Sequence, residues 1–363
     1  MKTYSVPADL HVVLIYGGQS AEHEVSLVSA RNVLNALDLT RYKVTLVRID
    51  HGGTWCRIAT VNDINLQYVD LQARGEPVVL GPGKKLIPIK TPDRAVTVDV
   101  VFPVLHGTNG EDGAIQGLLQ MYDIPCVGAG VLGSAICMDK DVSKRLLREG
   151  GIAVPDYRVL YRDDVDFPSY ASIAEVLGEI FFVKPANTGS SVGISRVTSA
   201  ASCEAAIKEA FKFDDKVLVE EAINGREIEC AVLGHAPVNV SICGEITTTH
   251  SFYSYEAKYE DEEATSLIIP APMPDDVLES IQNMAGRVCR VLECSGMARV
   301  DFFLEESGRL LVNEVNTIPG FTAVSMYPLL WEHLGRSRSE VVDILIRDTF
   351  HAHLKRRELI RRR

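Results

Sequence analysis

The chain has 363 residues, of which 46% are hydrophobic and 24% charged, and this length predicts two or three domains. Its net charge of -12 argues against a general nucleic-acid binder, which needs a basic surface. No apolar run is long enough for a membrane span and no N-terminal secretory signal is seen, so we expect no membrane association. The eight cysteines are scattered, which predicts reduced thiols in a cytoplasmic protein, without zinc or disulfides.

The first predicted element is a buried strand over residues 11–16, followed by Gly17-Gly18 and a helix that runs to Leu37. Ser20 is placed to cap this helix. A strand, a glycine turn and a helix commonly bind a ligand at the carboxyl end of the strand, although these glycines do not form the dinucleotide fingerprint G-x-G-x-x-G. Glu22, in the first helical turn, either faces a cationic ligand group or only stabilises the helix dipole.

The arrangement of a strand, a glycine-containing loop and a helix recurs further along the chain. Strands are predicted over 44–49 and 98–105, and the second leads into a glycine-rich loop that starts at His106 and ends in a helix. A histidine in a loop is more often structural than catalytic, so His106 alone carries little weight. A new helical pattern opens at 138–141, and we therefore predict an N-terminal α/β domain over 1–138.

Residues 139–225 are predicted to form a central α+β subdomain. Its predicted strands are 157–161, 180–184, 193–197 and 217–221, and its predicted helices are 172–177 and 200–211. Lys184 ends one strand, and a Gly/Ser-rich loop over 187–193 follows it. Such a loop can place backbone N–H groups over phosphates, with the lysine as a point charge. The alternative is a mobile hairpin loop with a surface lysine.

The last of these predicted strands ends in two acidic residues, Glu220 and Glu221. A third, Glu227, lies two residues beyond Gly225. Carbonyl and carboxylate oxygens at a strand end can accept hydrogen bonds from an adenine amino group and from ribose hydroxyls. The alternative is a solvated strand end.

Residues 226–363 are predicted to form a C-terminal subdomain. A loop over about 247–270 carries aromatic and charged residues, which is uncommon at this length unless the loop closes over a site as a lid. Helices are predicted over 275–292 and from Arg338 onward. The basic residues that end the chain are interpreted as a solvated helix end.

A β-hairpin is predicted between the two helices, with apolar runs on either side of a Ser307-Gly308 turn. If these are the two loop residues, Glu306 pairs with Arg309, Asp301 lies opposite Glu314, and Asn316 shares their face. Two carboxylates that face each other repel, so we expect a cation between them. Oxygen ligands suit Mg²⁺. The alternative is an exposed face with acids at chance positions.

Five motifs, in this order along the chain, resemble those of the D-alanine–D-alanine ligases in the ATP-grasp superfamily. They are Gly-Gly-Gln-Ser-Ala-Glu-His-Glu-Val-Ser (17–26), Leu-His-Gly-x-x-Gly-Glu-Asp-Gly (105–113), Lys-Pro-Ala-Asn-x-Gly-Ser-Ser-Val-Gly (184–193), Tyr-Glu-Ala-Lys-Tyr (255–259) and Asn-Glu-Val-Asn-Thr-Ile-Pro-Gly-Phe (313–321). The resemblance covers nearly the whole chain. It implies a multidomain α/β and α+β protein with the ATP-grasp fold, a Rossmann-like (preATP-grasp) N-terminal domain and a homodimeric state.

The resemblance also implies a reaction. The carboxylate of one D-alanine attacks the γ-phosphate of ATP to give D-alanyl phosphate. The amine of a second D-alanine then attacks the acyl carbon, and phosphate leaves a tetrahedral intermediate. The product, D-alanyl-D-alanine, supplies the peptidoglycan of the cell wall. Such a reaction needs positioning and charge neutralisation more than a nucleophilic side chain.

For the nucleotide, the resemblance assigns roles to residues in three groups. The metal ligands for two Mg²⁺ or Mn²⁺ ions would be Asp301, Glu314 and Asn316. The residues around the phosphates would be Lys140, Lys184, Ser190, Ser191, Lys258, Asn313 and Glu314. The residues around adenine and ribose would be Glu220, Glu221, Ile223 and Glu227. Many members have a lysine where this chain has Glu221, so contact there would be through the backbone only.

For the amino acids, the resemblance implies that Glu22 holds the first ammonium group and His106 lies on its carboxylate side. Arg299 and the Gly320 N–H would stabilise the oxyanion. Ser325 and the Met326 N–H would receive the second carboxylate. A hydrogen-bonded trio of Glu22, Ser190 and Tyr259 would join the N-terminal domain, the phosphate loop and the lid, and closure would exclude water.

Three alternatives remain at this point. Ligases that make D-alanyl-D-lactate carry a histidine where the lid tyrosine acts, and Tyr259 in an intact motif favours the dipeptide. A nicotinamide-dependent oxidoreductase is disfavoured by the missing fingerprint and by the acidic hairpin. A non-catalytic nucleotide sensor would tolerate loss of Arg299 or Glu314, and both are present.

Overall fold

The computed structural model describes residues 7, 9–61, 69–248 and 265–359. Their strands are β1 Leu10–Gly17, β2 Tyr42–Ile49, β3 Trp55–Val61, β4 Glu76–Gly81, β5 Lys85–Pro88, β6 Val96–Thr97, β7 Val100–Val104, β8 Tyr157–Tyr161, β9 Phe181–Pro185, β10 Ser195–Val197, β11 Lys216–Glu221, β12 Gly225–Gly234, β13 Asn239–Thr248, β14 Thr265–Ile268, β15 Gly296–Glu305 and β16 Leu310–Asn316. Their helices are α1 His23–Ala36, α2 Ala114–Met121, α3 Val131–Met138, α4 Lys140–Glu149, α5 Tyr170–Leu177, α6 Ala200–Ala210, α7 Asp275–Val291, α8 Met326–His333 and α9 Arg338–Arg357.

The N-terminal sheet has the strand order β6-β5-β4-β3-β2-β1-β7. Strands β2, β1 and β7 are parallel, an arrangement typical of the α/β domain that was predicted here. The antiparallel strands β3 to β6 extend the sheet and were missed, because short, half-buried edge strands show little apolar periodicity. The carboxyl ends of β1 and β7 lead into the glycine turn and the His106 loop.

The cap predicted for α1 is wrong. The helix begins at His23, and Glu22 occupies the N-cap position without a capping hydrogen bond from its side chain. Ser20 instead donates from Oγ to the His106 carbonyl at 2.7 Å and accepts from the Glu22 N–H at 3.2 Å. The Ser20 hydroxyl therefore joins the loops that follow β1 and β7, a contact between distant segments that local capping rules do not include.

The central sheet has the order β10-β9-β11-β8, and all its neighbours are antiparallel. Helices α5 and α6 supply apolar residues to a core with one face of this sheet. The four strands and two helices agree with the predicted elements to within two residues at each end. Lys184 lies opposite Leu218 on the neighbouring antiparallel strand. Glu220 is two residues from Leu218, so the Lys184 and Glu220 side chains share one face of the sheet.

The C-terminal sheet has the antiparallel order β14-β13-β12-β15-β16. The hairpin of β15 and β16 places Asp301 opposite Glu314, as predicted. The predicted turn is wrong, however, because it has three loop residues and not two: the Glu305 N–H donates to the Arg309 carbonyl at 3.0 Å. A bulge in β16 between Val312 and Glu314 adds one residue and restores the predicted pairing.

The N-terminal and C-terminal sheets share a core. Apolar residues of β1, β2 and α1 pack in one cluster with those of β12, α8 and α9. Helix α3, which precedes the predicted boundary at 138, supplies Cys137 to the core beneath the C-terminal sheet. Each sheet lies within one of the three predicted segments, except that β12 of the C-terminal sheet begins at Gly225, the last residue of the central segment. The domain boundaries at 138 and 225 stay predictions.

All eight cysteines are free thiols. No helix in the described part of the chain is long and apolar enough to cross a membrane.

Candidate active site

The predicted nucleotide residues that the structure describes line one cavity between the central and C-terminal sheets. The cavity has a volume of about 280 Å³. Its lining includes Lys140, Lys184, Ser190, Ser191, Glu220, Glu221, Ile223, Glu227, Arg299, Asp301, Asn313 and Glu314. Residues from six separate segments of the sequence thus meet around a single space.

The predicted amino-acid residues line a second cavity of about 150 Å³. Its lining includes Glu22, His106, Ser190, Arg299, Glu314, Asn316, Gly320, Ser325 and Met326. Ser190, Arg299 and Glu314 border both cavities. A phosphoryl group at the end of the first cavity would therefore lie next to a small molecule in the second.

Lys258 and Tyr259 lie outside the described residues, as does most of the predicted lid. Their predicted roles stay predictions.

Glu220 is almost completely buried and lies between two lysines. Its Oε2 is 2.7 Å from Lys144 Nζ, and its Oε1 accepts a hydrogen bond from Lys184. Burial by itself would raise the pKa of Glu220, but the two cations outweigh it and lower that pKa. Burial lowers the pKa of Lys144 to about 8, although Glu220 opposes the shift. One carboxylate thus holds two ammonium groups at the edge of the nucleotide cavity.

Sequence reasoning missed Lys144. Its side chain is fully buried, and its Nζ also donates to the Asn313 carbonyl at 3.2 Å. The one sequence signal was its position four residues after Lys140, on the same face of α4. Lys144 therefore connects α4, the end of β11 and the β15–β16 hairpin, which carries the predicted metal ligands.

Replacing Lys144 by methionine is expected to lower the free energy of unfolding by about 3–5 kcal/mol, because Glu220 loses one of its two buried partners. Nucleotide affinity should fall about tenfold. Without Lys144, Glu220 would pair only with Lys184, and this tighter pairing would draw the Lys184 ammonium group away from the phosphates. Thermal unfolding and calorimetric titration with a non-hydrolysable ATP analogue measure both effects.

Lys216→Met is the matched control for this substitution. Like Lys144, Lys216 forms an ion pair, here with the carboxylates of Asp139 and Asp141, but it lines neither cavity. We expect this variant to lose stability and keep its nucleotide affinity. Equal nucleotide affinity in both variants would contradict the role given to Lys144.

Arg299 joins two buried carboxylates on the C-terminal sheet. Its Nε and Nη2 each donate to Asp301 at 2.7 Å, and its Nε lies 3.0 Å from Glu229 Oε2. Glu229 lies opposite Asp301 on the neighbouring strand β12. Glu229 was missed because only the pairing of β12 with β15, which the sequence does not show, places it there.

The residues predicted to bind metal come together as expected for a hard cation. Asp301 and Glu314 are directly opposed on β15 and β16, and Asn316 Nδ2 donates to Asp301 Oδ2 at 3.0 Å. Lys140 Nζ lies 3.9 Å from Glu314 Oε2. Two carboxylates and an amide oxygen on adjacent strands are the donor set that Mg²⁺ or Mn²⁺ prefers, so the residues fit such an ion.

Glu22 reaches the phosphate loop from the N-terminal domain. Its Oε1 accepts a hydrogen bond from Ser190 Oγ, so two members of the predicted trio are in contact. Ser190 and Ser191 both have positive φ, of 48° and 59°. Non-glycine residues in this left-handed region are uncommon and concentrate at functional sites. The loop is thus held in a conformation that the surrounding contacts must maintain.

The predicted oxyanion donor lies in a tightly packed loop. A Cβ atom on residue 320 would lie 2.7 Å from Ser325 Oγ, so a larger residue at position 320 would force the Ser325 hydroxyl to move. Ser325 Oγ accepts a hydrogen bond from the Thr322 N–H at 2.9 Å. Met326 begins α8, so its N–H is among those a helix start leaves without an intrahelical partner.

Glu111 is a further site residue that was not assigned, although it stands in the quoted motif 105–113. Its Oε2 accepts from the Gly107 N–H at 2.8 Å and its Oε1 from the Ile318 N–H at 2.9 Å. Burial, with a contribution from the nearby Glu22 carboxylate, raises the pKa of Glu111 to about 8. Glu111 therefore ties the His106 loop to the segment that leaves the hairpin.

Glu221 is turned toward protein groups. Its Oε1 accepts from the Asp156 N–H at 2.8 Å and from Arg309 Nη2 at 3.3 Å. This oxygen is therefore already used, which agrees with the expectation that adenine would be contacted there by the backbone.

Comparisons with known proteins decide the family. A family model described as "D-ala D-ala ligase N-terminus" matches residues 11–129, and one described as "D-ala D-ala ligase C-terminus" matches residues 146–347. The chain belongs to the D-alanine–D-alanine ligase family. The resemblance inferred from the five motifs is therefore confirmed, and an oxidoreductase is excluded.

Individual members of the family are similar over nearly their full lengths. D-alanine–D-alanine ligase A of Chromobacterium violaceum is 48% identical over 93% of this chain and 94% of the relative. The D-alanine–D-alanine ligase of Coxiella burnetii superposes with a TM-score of 0.84 at 38% identity, covering 97% of this chain and 98% of that one. The VanG D-Ala:D-Ser ligase of Enterococcus faecalis superposes with a TM-score of 0.81 at 36% identity, covering 94% of this chain and 99% of that one. The predicted ATP-grasp multidomain fold is confirmed.

Proposed function

We propose that this protein is an ATP-dependent ligase that joins two D-alanines into D-alanyl-D-alanine, with release of ADP and phosphate, as a precursor of peptidoglycan. The observation that supports this most directly is the pair of adjoining cavities bordered in common by Ser190, Arg299 and Glu314. The D-alanine–D-alanine ligases that this chain resembles at 43–48% identity give the substrate.

ATP occupies the larger cavity. Its adenine and ribose lie toward Ile223 and Glu227 at the ends of β11 and β12. Its phosphates point toward Lys140 and Lys184, beneath the loop that carries Ser190 and Ser191. Lys258, from the lid, adds a further positive charge.

Asp301, Glu314 and Asn316 would hold two Mg²⁺ or Mn²⁺ ions, with Glu314 between them. When bound, such ions neutralise the β- and γ-phosphates and orient them for in-line transfer. Arg299 keeps the Asp301 carboxylate in place through two hydrogen bonds of 2.7 Å.

The two D-alanines occupy the smaller cavity. Glu22 holds the ammonium group of the first, whose carboxylate takes the γ-phosphoryl group to become D-alanyl phosphate. Ser325 and the Met326 N–H hold the carboxylate of the second, whose amine attacks the acyl carbon. Arg299 and the Gly320 N–H stabilise the oxyanion, from which phosphate leaves.

The lid completes the site. Tyr259 joins Glu22 and Ser190 when the lid closes, and closure excludes the water that would hydrolyse D-alanyl phosphate. We further propose that the protein is a cytoplasmic homodimer, as expected for the family and for free thiols.

The first experiment is a coupled assay of phosphate release from ATP and Mg²⁺, with mass spectrometry of the products. The acceptors are D-alanine alone, D-alanine with D-lactate, and D-alanine with D-serine. We expect stoichiometric phosphate and D-alanyl-D-alanine, and little product from the other pairs. Depsipeptide as the main product near neutral pH would favour the D-lactate ligase, and mainly D-alanyl-D-serine would favour a specificity like that named for VanG. Absence of turnover with every D-amino acid would contradict the proposal.

A further inference from the structure

A buried hydroxyl lies between helix α1 and the loop that carries Gly320. Ser29 is in the middle of α1, and its side chain is fully buried. Its Oγ accepts a hydrogen bond from the Phe321 N–H at 3.2 Å, although the two residues are 292 positions apart. The same oxygen lies 3.3 Å from Nε2 of His106. One serine thus contacts both the loop after β7 and the segment after β16.

The hydrogen-bond partners of His106 and Ser29 show which of their atoms carry hydrogens. His106 Nδ1 lies 2.9 Å from the Ile318 carbonyl oxygen, and a carbonyl can only accept, so Nδ1 carries the proton. Burial lowers the pKa of His106, so the ring is neutral and Nε2 is an acceptor. Ser29 therefore donates its hydroxyl hydrogen to His106 and accepts from Phe321. Both ring nitrogens of His106 are used within the protein.

These contacts hold the backbone on both sides of Gly320. The Ile318 carbonyl is bound by His106 and the Ile318 N–H by Glu111, while the Phe321 N–H is bound by Ser29. The Gly320 N–H itself has no hydrogen-bond acceptor within the described ranges. The loop is thus fixed at its two ends, and the donor between them is left available.

We propose that Ser29, acting with His106, is a positioning residue that holds the Gly320 N–H in the direction from which it meets the oxyanion. The inference rests on the proposed ligase reaction. Helix α1 follows Glu22, which contacts Ser190 of the phosphate loop. A single helix therefore aligns the first substrate, the phosphate loop and the oxyanion donor, and misplacement of such a donor by a fraction of its hydrogen-bond length weakens catalysis.

The test compares two serines of the same helix. Ser29→Ala removes the proposed contact. Ser26→Ala removes an equally buried hydroxyl one turn away, which accepts from the Gly17 N–H at 2.7 Å and donates to the Val104 carbonyl. Alanine favours helix, so both variants should fold. Ser29→Cys keeps a similar side-chain size with a weaker donor, and it replaces Ser29→Ala should that variant unfold.

Hydrogen exchange measured by mass spectrometry tests the contact without any substrate. Peptides that contain residues 317–321 should exchange about tenfold faster in Ser29→Ala, because one hydrogen bond to their backbone is lost. In Ser26→Ala their exchange should equal that of the wild type. Equal exchange in all three proteins would overturn the proposal.

Kinetics then test positioning. In Ser29→Ala, kcat should fall about ten- to hundredfold, whereas KM for ATP should stay within about twofold, since the nucleotide cavity is untouched. The double variant Ser29→Ala/His106→Gln should lose no more than about twofold in kcat beyond His106→Gln alone, because the two residues act as one unit. Additive losses, or equal losses of kcat in Ser29→Ala and Ser26→Ala, would overturn the proposal.

The two proposals fail separately. If the wild-type protein forms no product from D-alanine, the proposed function is wrong, and hydrogen exchange still decides whether Ser29 holds the loop. If the wild type is active and the exchange rates do not differ, only the role of Ser29 is wrong.

Discussion

Replacement of Arg299 by alanine is expected to abolish ligation, with a loss of kcat on the order of a thousandfold or more. Arg299 borders both cavities and binds Asp301 through two hydrogen bonds. Its removal would therefore take away the proposed oxyanion stabilisation and the positioning of a proposed metal ligand together. Stability should also fall, by about 3–5 kcal/mol, because Glu229 and Asp301 would remain buried and opposed without the cation between them. Phosphate release and thermal unfolding measure the two effects.

Arg226→Ala is the matched control for Arg299. Arg226 lies on the same sheet and binds Glu245 through two hydrogen bonds of 2.9 and 2.7 Å, but it borders neither cavity. This variant should lose some stability and keep its turnover. A loss of kcat in Arg299→Ala no larger than in the control would show that Arg299 does not act on the reacting groups.

Replacement of Glu314 by glutamine is expected to lower kcat by about a thousandfold, because the proposed metal site would lose one of its two carboxylate ligands. Its side chain is about a quarter exposed and 3.9 Å from Lys140, so the stability change should stay below about 1 kcal/mol. The variant should also need a higher Mg²⁺ concentration for its remaining activity. Titration of phosphate release with Mg²⁺ measures both properties.

Glu305→Gln provides the same chemical change in the same hairpin, near the turn and away from both cavities. Its Mg²⁺ dependence should match that of the wild type. Turnover like that of the wild type in Glu314→Gln would remove the support for the two-ion assignment.

The hairpin shows how far sequence reasoning reached. The pairing of Asp301 with Glu314 was predicted from a two-residue turn, and the observed turn has three loop residues. The bulge near Asn313 compensates for the difference. Strand alternation therefore predicted the right face, but the turn was wrong, because a bulge adds a residue without changing any local apolar pattern.

Lys144, Glu111 and Glu229 illustrate what local patterns miss. Each is a charged residue whose importance comes from a partner on another element: Glu220 for Lys144, the Ile318 N–H for Glu111, and Arg299 for Glu229. Helical and strand periods report which face of an element is apolar. These periods do not show which charged residues are buried against partners on other elements. Lys144, Glu111 and Glu229 are important because each is buried next to such a partner.

The sequence by itself determined the order and type of most elements, the acidic face of the hairpin, and, through five motifs, the family. These properties depend on residues close together in the chain, where apolar spacing, glycine and capping chemistry act locally. The tertiary structure alone decided that the Ser29 hydroxyl meets Phe321 across 292 positions, that Ser20 joins two loops, and that Glu220 lies between two lysines. Such contacts form only when separate sheets pack, because their cost in desolvation is offset only by partners that distant segments bring.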